Sequence, residues 1–176
     1  FGAYKVSDNI VSHRGIVVLK LAYLHKEVSN DFLIPLLEMP HDDFPIVFEA
    51  DAEHMLIEKA IFNSLINPLT ALLCLKNGEL LTNKHAYKLL KRIHIELEQC
   101  FPNHCPPFEE VIALCKRTAL NTSSMLSDHL AKKKSEAPAI LGALIKRAER
   151  KGVQLNTLVT IYELVLAKEL QEDWSI

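Results

Sequence analysis

The spacing of hydrophobic positions changes near residue 50. Before that point, short apolar runs are separated by turn residues: Phe1 to Val6, then Ser7, Asp8 and Asn9, then Ile10 and Val11. Ile16 to Leu24 is rich in β-branched residues and alternates around Lys20, the pattern of a strand. Ser29 or Asn30 is placed to cap a short helix ending near Met39 and Pro40, and Phe44 to Phe48 reads as a short buried strand. Strand, helix, strand in this order predicts the tail of an α/β sheet whose beginning is absent.

From Asp51 onward the period becomes helical. Asp51 is a plausible N-cap for a helix to about Ile66, with Asn67 and Pro68 breaking or kinking it, because proline lacks a donor and disfavours helix at the preceding residue. Leu69 to Leu75 continues apolar, and Lys76, Asn77 and Gly78 signal a turn. Thr82 is expected to cap a helix to Gln99, with Leu89, Leu90, Ile93 and Leu97 inward. Pro102 to Pro107 reads as a loop and Phe108 to Thr118 as a helix. Asn121 to Ser124 opens a helix to about Lys133, Pro138 to Lys151 ends at Gly152 in the C′ position, and Asn156 caps a last helix to about Leu170. The fold expected is mainly α: residues 1–50 a remnant of a sheet, residues 51–176 an all-helical domain.

One feature of the first long helix stands apart. Lys59, Asn63 and Asn67 are four residues apart, so they drift by only about 40° per step and share a face. An ammonium and two carboxamides on an otherwise apolar helix are costly to bury unless something polar lies opposite. Water suffices if this is a solvated face; a substrate is the alternative, and two asparagines and a proline weaken the helix in a way a surface face does not require. A second cluster runs Asn121-Thr-Ser-Ser-Met-Leu-Ser-Asp128. Its hydroxyls can simply cap a helix, or they can bind a carboxylate. Glu136, after the basic run Lys132 to Lys134, reads as a first-turn acid that favours the helix dipole.

Composition narrows the function classes. At 176 residues, 49% hydrophobic and a net charge of -2, the chain is long enough for a sizeable core and offers no case for nucleic acid or an anionic membrane. No apolar run is clean enough to span a bilayer and no targeting peptide is visible. Four cysteines without a secretion signal read as reduced thiols in a cytoplasmic protein. Cys100, His104 and Cys105 supply only three local ligands in a proline-rich loop, so no metal site is assigned. Gly2, Gly15, Gly78, Gly142 and Gly152 are too dispersed to form a dinucleotide-binding or Walker-type loop.

The stretches Lys59 to Leu73, Lys76 to Leu81 and Asn121 to Asp128 followed by Glu136, together with Phe1-Gly-Ala and Val11 to Gly15, resemble the ketopantoate reductase (2-dehydropantoate 2-reductase) family over nearly the whole chain. The resemblance implies a helical C-terminal domain of the 6-phosphogluconate-dehydrogenase-like type, preceded by the last strands of a Rossmann domain. It implies reduction of a small 2-oxo acid with NADPH, the cofactor being held mainly by a missing N-terminal domain, and an inactive chain without that domain. It implies Lys59 as proton donor, Asn63, Asn67, Asn77, Asn121 and Ser124 as substrate contacts, and Glu136 as an acid beside the lysine and the cofactor. The chain departs from the family pattern at Val17, Pro138 and Leu141. A reductase of another branched 2-oxo acid and a non-enzymatic helical interaction module stay open as alternatives, as does a homodimer.

Overall fold

The structure, a computed structural model, describes residues 3–7, 10–13, 19–22, 46–49 and 51–171. The chain divides into two units, Phe1–Leu56 and Ile57–Ile176. In the first, β1 (Ala3–Ser7) and β2 (Ile10–His13) pair antiparallel with Ala3 opposite His13, and the register is irregular between Lys5 and Ser7. β3 (Leu19–Ala22) and β4 (Ile46–Glu49) pair in parallel, with Leu19 opposite Ile46. Parallel neighbours require a long crossover between them, and residues 23–45 are that connection. The short helix expected within it and the family departure at Val17 lie outside the described residues.

The second unit is helical, as the 3.6-residue period predicts. Its elements are α1 (Ala52–Leu73, which enters the unit at Ile57), α2 (Glu79–Thr82), α3 (Lys84–Cys100), α4 (Phe108–Arg117), α5 (Ser124–Leu130), α6 (Ala137–Arg150) and α7 (Asn156–Gln171). α6 packs on α7, α7 on α3, and α2 on both α3 and α4. The interior is continuous, with Ile61, Leu65, Leu80, Leu90, Ile93, Leu97, Val111, Leu141 and Leu158 all without exposed surface. No helix among the described residues is long and apolar enough to cross a membrane.

Four helix boundaries differ from the sequence expectation, each for a physical reason. α1 does not break at Asn67 and Pro68; it runs unbroken to Leu73 with Pro68 inside. Every residue from Ser64 to Ala71 is buried. An interior proline costs about 3 kcal/mol, whereas burying Leu65, Ile66 and Leu69 contributes roughly 1.5–3 kcal/mol each, so packing outweighs the lost donor. Asn83, not Thr82, caps α3, its Oδ1 accepting from the backbone N–H of His85 and Ala86 at 3.1 Å each. Thr82 instead ends the short turn α2. α5 stops at Leu130 rather than Lys133 because Lys132 adopts a left-handed conformation, φ 55°, incompatible with continuing the helix. Finally, Asn156 does not cap α7. The carboxylate of Glu96, on α3, accepts from Thr157 N at 2.8 and 3.0 Å and from Leu158 N at 3.1 Å.

Other ends follow the local signals. Asp51 Oδ1 accepts from His54 N at 2.9 Å at the start of α1. Gly152, φ 70°, closes α6 in a Schellman motif, with Val153 N donating to Ala148 O and Gly152 N to Glu149 O. Pro138, unusual for the family pattern, lies in the first turn of α6, where a missing N–H costs nothing. Leu141 is fully buried core.

Candidate active site

α1 carries its polar stripe from solvent into the interior. Lys59 is exposed, Asn63 half-buried and Asn67 only 7% exposed. The side chains of Lys59 and Asn63 make no hydrogen bond or ion pair among the described residues. Eight residues of helix separate Lys59 from Asn67, about 12 Å along the axis.

At the buried end, α1 meets the start of α5. Asn67 Nδ2 donates to Ser124 Oγ at 3.4 Å, joining residues 57 apart in sequence. One turn on, Thr70 Oγ1 and Ser123 Oγ lie 2.7 Å apart. The Thr70 hydroxyl donates to the backbone at Asn67 O, 2.9 Å away, so Ser123 is the donor of that pair. Ser123 Oγ also accepts from Leu126 N at 3.1 Å and is the N-cap of α5. The two serines therefore divide the work. Ser123, buried, caps and braces, while Ser124, exposed, only accepts from Asn67 and keeps its own proton for another acceptor.

The loops behind this junction are laced together. Asn77 N donates to Asn121 O at 3.2 Å and Gly78 N to Ala119 O at 3.1 Å. Asn77 Nδ2 donates to Thr118 Oγ1 at 2.9 Å, and the Thr118 hydroxyl donates to Leu114 O at 2.8 Å. A Cβ on Gly78 would lie 2.6 Å from Ala119 Cβ and 2.9 Å from its Cα, so only glycine permits this approach. Asn77 is buried, and its Oδ1 has no hydrogen-bond partner.

Beyond Ser124 the polar surface continues to Asp128, one turn along α5 and on the same face. Burial pushes the Asp128 carboxyl up, and the Glu136 carboxylate beside it adds to the rise, while Lys133 and His129 oppose it. Glu136 is exposed at the N-cap position of α6, yet its side chain makes no capping hydrogen bond. Of the residues singled out in the sequence, the structure brings Asn67 to Ser124 and Asn77 to the backbone of Asn121; neither Lys59 nor Glu136 bonds to another member of the set among the described residues.

Sequence reasoning missed the supporting residues. Thr70 and Thr118 carry no local signal. Glu169 does: it follows Leu158, Ile161 and Val165 on one helical face, an acid where the period demands a hydrophobe, and it is 9% exposed.

Residues 51–169 match the family described as ketopantoate reductase PanE/ApbA C terminal, and the chain belongs to that family. The 2-dehydropantoate 2-reductase of Bacillus subtilis (strain 168) is 38% identical over 170 residues, 96% of this chain and 57% of that protein. The crystal structure of a probable 2-dehydropantoate 2-reductase, panE, from Bacillus subtilis matches with a TM-score of 0.79 at 37% identity, covering 95% of this chain and 58% of that one. A D-mandelate dehydrogenase in ternary complex with NADH and anilino(oxo)acetate shares the fold, with a TM-score of 0.76 at 22% identity over 96% of this chain and 58% of that chain. The chain spans 55–57% of the length of three curated relatives that it matches. The helical domain expected from the sequence is the helical C-terminal domain of this family.

Proposed function

We propose that this chain is the substrate-binding and catalytic part of an NADPH-dependent 2-oxo acid reductase acting on 2-dehydropantoate. The observation that carries the reading is the contact between Asn67 and Ser124. It joins two polar clusters, each of which has a bland explanation alone, at one end of a stripe that begins with a lysine. Membership of the family and the likeness to 2-dehydropantoate 2-reductases support this substrate class. The parallel pair β3–β4 is in keeping with residues 1–50 being the edge of a nucleotide-binding sheet, with the helical domain from residue 51.

In this reading the free hydroxyl proton of Ser124, with Asn121 nearby, binds the substrate carboxylate. Asn63 and Asn67 orient its hydroxyl and carbonyl groups without adding charge. Asn77 holds the loop that carries Asn121 and completes the substrate side. The Lys59 ammonium stabilises the charge that develops on the carbonyl oxygen and gives that oxygen a proton. Glu136 fits a nicotinamide cofactor: its carboxylate is exposed and spends no acceptor on capping α6, so it is free to accept from ribose hydroxyls. The cofactor, when bound, supplies hydride to the carbonyl carbon.

The test follows NADPH oxidation by the full-length protein with 2-dehydropantoate and a panel of other branched 2-oxo acids. Lys59→Ala should lower kcat by roughly 10²–10⁴-fold, and Ser124→Ala should act mainly by raising KM. Turnover of another acid alone would move the substrate assignment, and near-normal turnover by Lys59→Ala would remove the proton-donor role.

A further inference from the structure

Among the described residues of the second unit, the one buried carboxylate with several partners lies outside the residues given a role in the reaction. Glu169, near the end of α7, points one oxygen at three donors. Ser135 Oγ donates to Glu169 Oε1 at 2.6 Å, Ser135 N at 3.0 Å, and His129 Nε2 lies 3.3 Å away. The side chains of His129 and Glu169 are 2% and 8% exposed. A carboxylate withdrawn from water is retained only with compensating donors, and a leucine would satisfy the hydrophobic period of α7 at no such cost.

What the three donors share is the connector between α5 and α6. His129 lies in the last turn of α5, and Ser135 immediately precedes Glu136. The Ser135 hydroxyl, while donating to Glu169, accepts from Ala137 N at 3.2 Å. Glu136 is thus held on both sides, through the N–H of the residue before it and the N–H of the residue after it. The capping that its position would demand is supplied by Ser135 instead. The connector also contains Lys132 at φ 55°, a conformation that needs outside support.

We propose that Glu169 is a positioning residue: through Ser135 it fixes the backbone at Glu136 and releases the Glu136 carboxylate from capping, so that it stays available to cofactor and substrate. This inference rests on the role given to Glu136 above. In this role Glu169 need not touch substrate; it is a buried acid that acts through Ser135 and Glu136.

The experiment is a double-mutant cycle in the full-length protein, with NADPH and the 2-oxo acid that the wild type reduces. Glu169→Ala should lower kcat/KM by roughly 10- to 100-fold, with Glu169→Gln, which keeps an acceptor, recovering part of the loss. In a Glu136→Ala background the same Glu169→Ala change should cost less than about twofold, because a residue acting through another has nothing left to position. Equal losses in both backgrounds, or none in either, would overturn the assignment. If Glu169→Ala does not fold, Ser135→Ala takes its place in the cycle under the same criteria. Amide exchange gives a second readout: the N–H groups of residues 135 and 137 should exchange at least tenfold faster in the variant, and unchanged protection would also overturn it. A wild type inert toward every 2-oxo acid would sink the underlying reading and this role with it; an active wild type with additive losses would sink this role alone.

Discussion

At the scale of single residues, the junction behind the site depends on an absent side chain. Gly78 brings the turn after α1 against the loop before α5, and the atoms a new Cβ would strike belong to Ala119, two of them in its backbone. Backbone cannot swing aside as a long side chain can, so Gly78→Ala should destabilise by about 1–3 kcal/mol, measured by urea denaturation. The same variant should disturb the hydrogen bond from Asn77 N to Asn121 O. Little of this was legible beforehand. Lys76, Asn77 and Gly78 announced a turn, but not that the turn would be laced to Thr118 and Asn121, because such pairings join positions some 40 residues apart. The stripe itself was legible, since Lys59, Asn63 and Asn67 share a helical face by spacing alone. What covers each of them was not: one is exposed, one half-buried and one buried, and that depends on where α5 and its serines arrive.

Among elements, the ends of helices divide by the distance of their caps. Most ends closed by neighbours in sequence were readable, namely Asp51 at the start of α1, Gly152 after α6 and the serine cluster at α5, although the cap of α3 lies one residue later than expected, at Asn83. The start of α7 was not, because its cap is a carboxylate 61 residues upstream. Glu96 takes the free N–H groups of Thr157 and Leu158 and places a negative charge at a helix N-terminus, where the dipole favours it. Glu96→Ala should therefore cost about 1–2 kcal/mol in thermal or chemical unfolding, and Glu96→Gln, which keeps the acceptor and loses the charge, should cost less. α1 is the opposite case. Its local signal, Asn67 followed by Pro68, says stop, and the surrounding core overrules it.

For the molecule as a whole, burial leaves a signature in the pH dependence of stability. Burial pushes the thiol of Cys115 up to about 11 and that of Cys105 up to about 12, the latter helped by Glu98, from an ordinary value of 9.0. In the unfolded chain both thiols ionise from about pH 9, while in the folded protein they stay protonated. Their contribution is fully present below pH 9 and is lost as pH rises toward 11 and 12. The urea midpoint should fall between about pH 8 and about pH 10.5, and fall less in a Cys105→Ala, Cys115→Ala variant. A midpoint equally sensitive in the variant would assign the effect to other groups.

One consequence of the unbroken α1, whose turns from Ser64 to Ala71 are enclosed, reaches beyond any single contact. The turns from Ser64 to Ala71 are among the most deeply interior in the protein, and on the reading above the same turns present Asn67 to the keto acid. Repacking that interior for heat tolerance and retuning the choice of reactant would compete for the same few positions, so variants selected for one trait should surface as changes in the other.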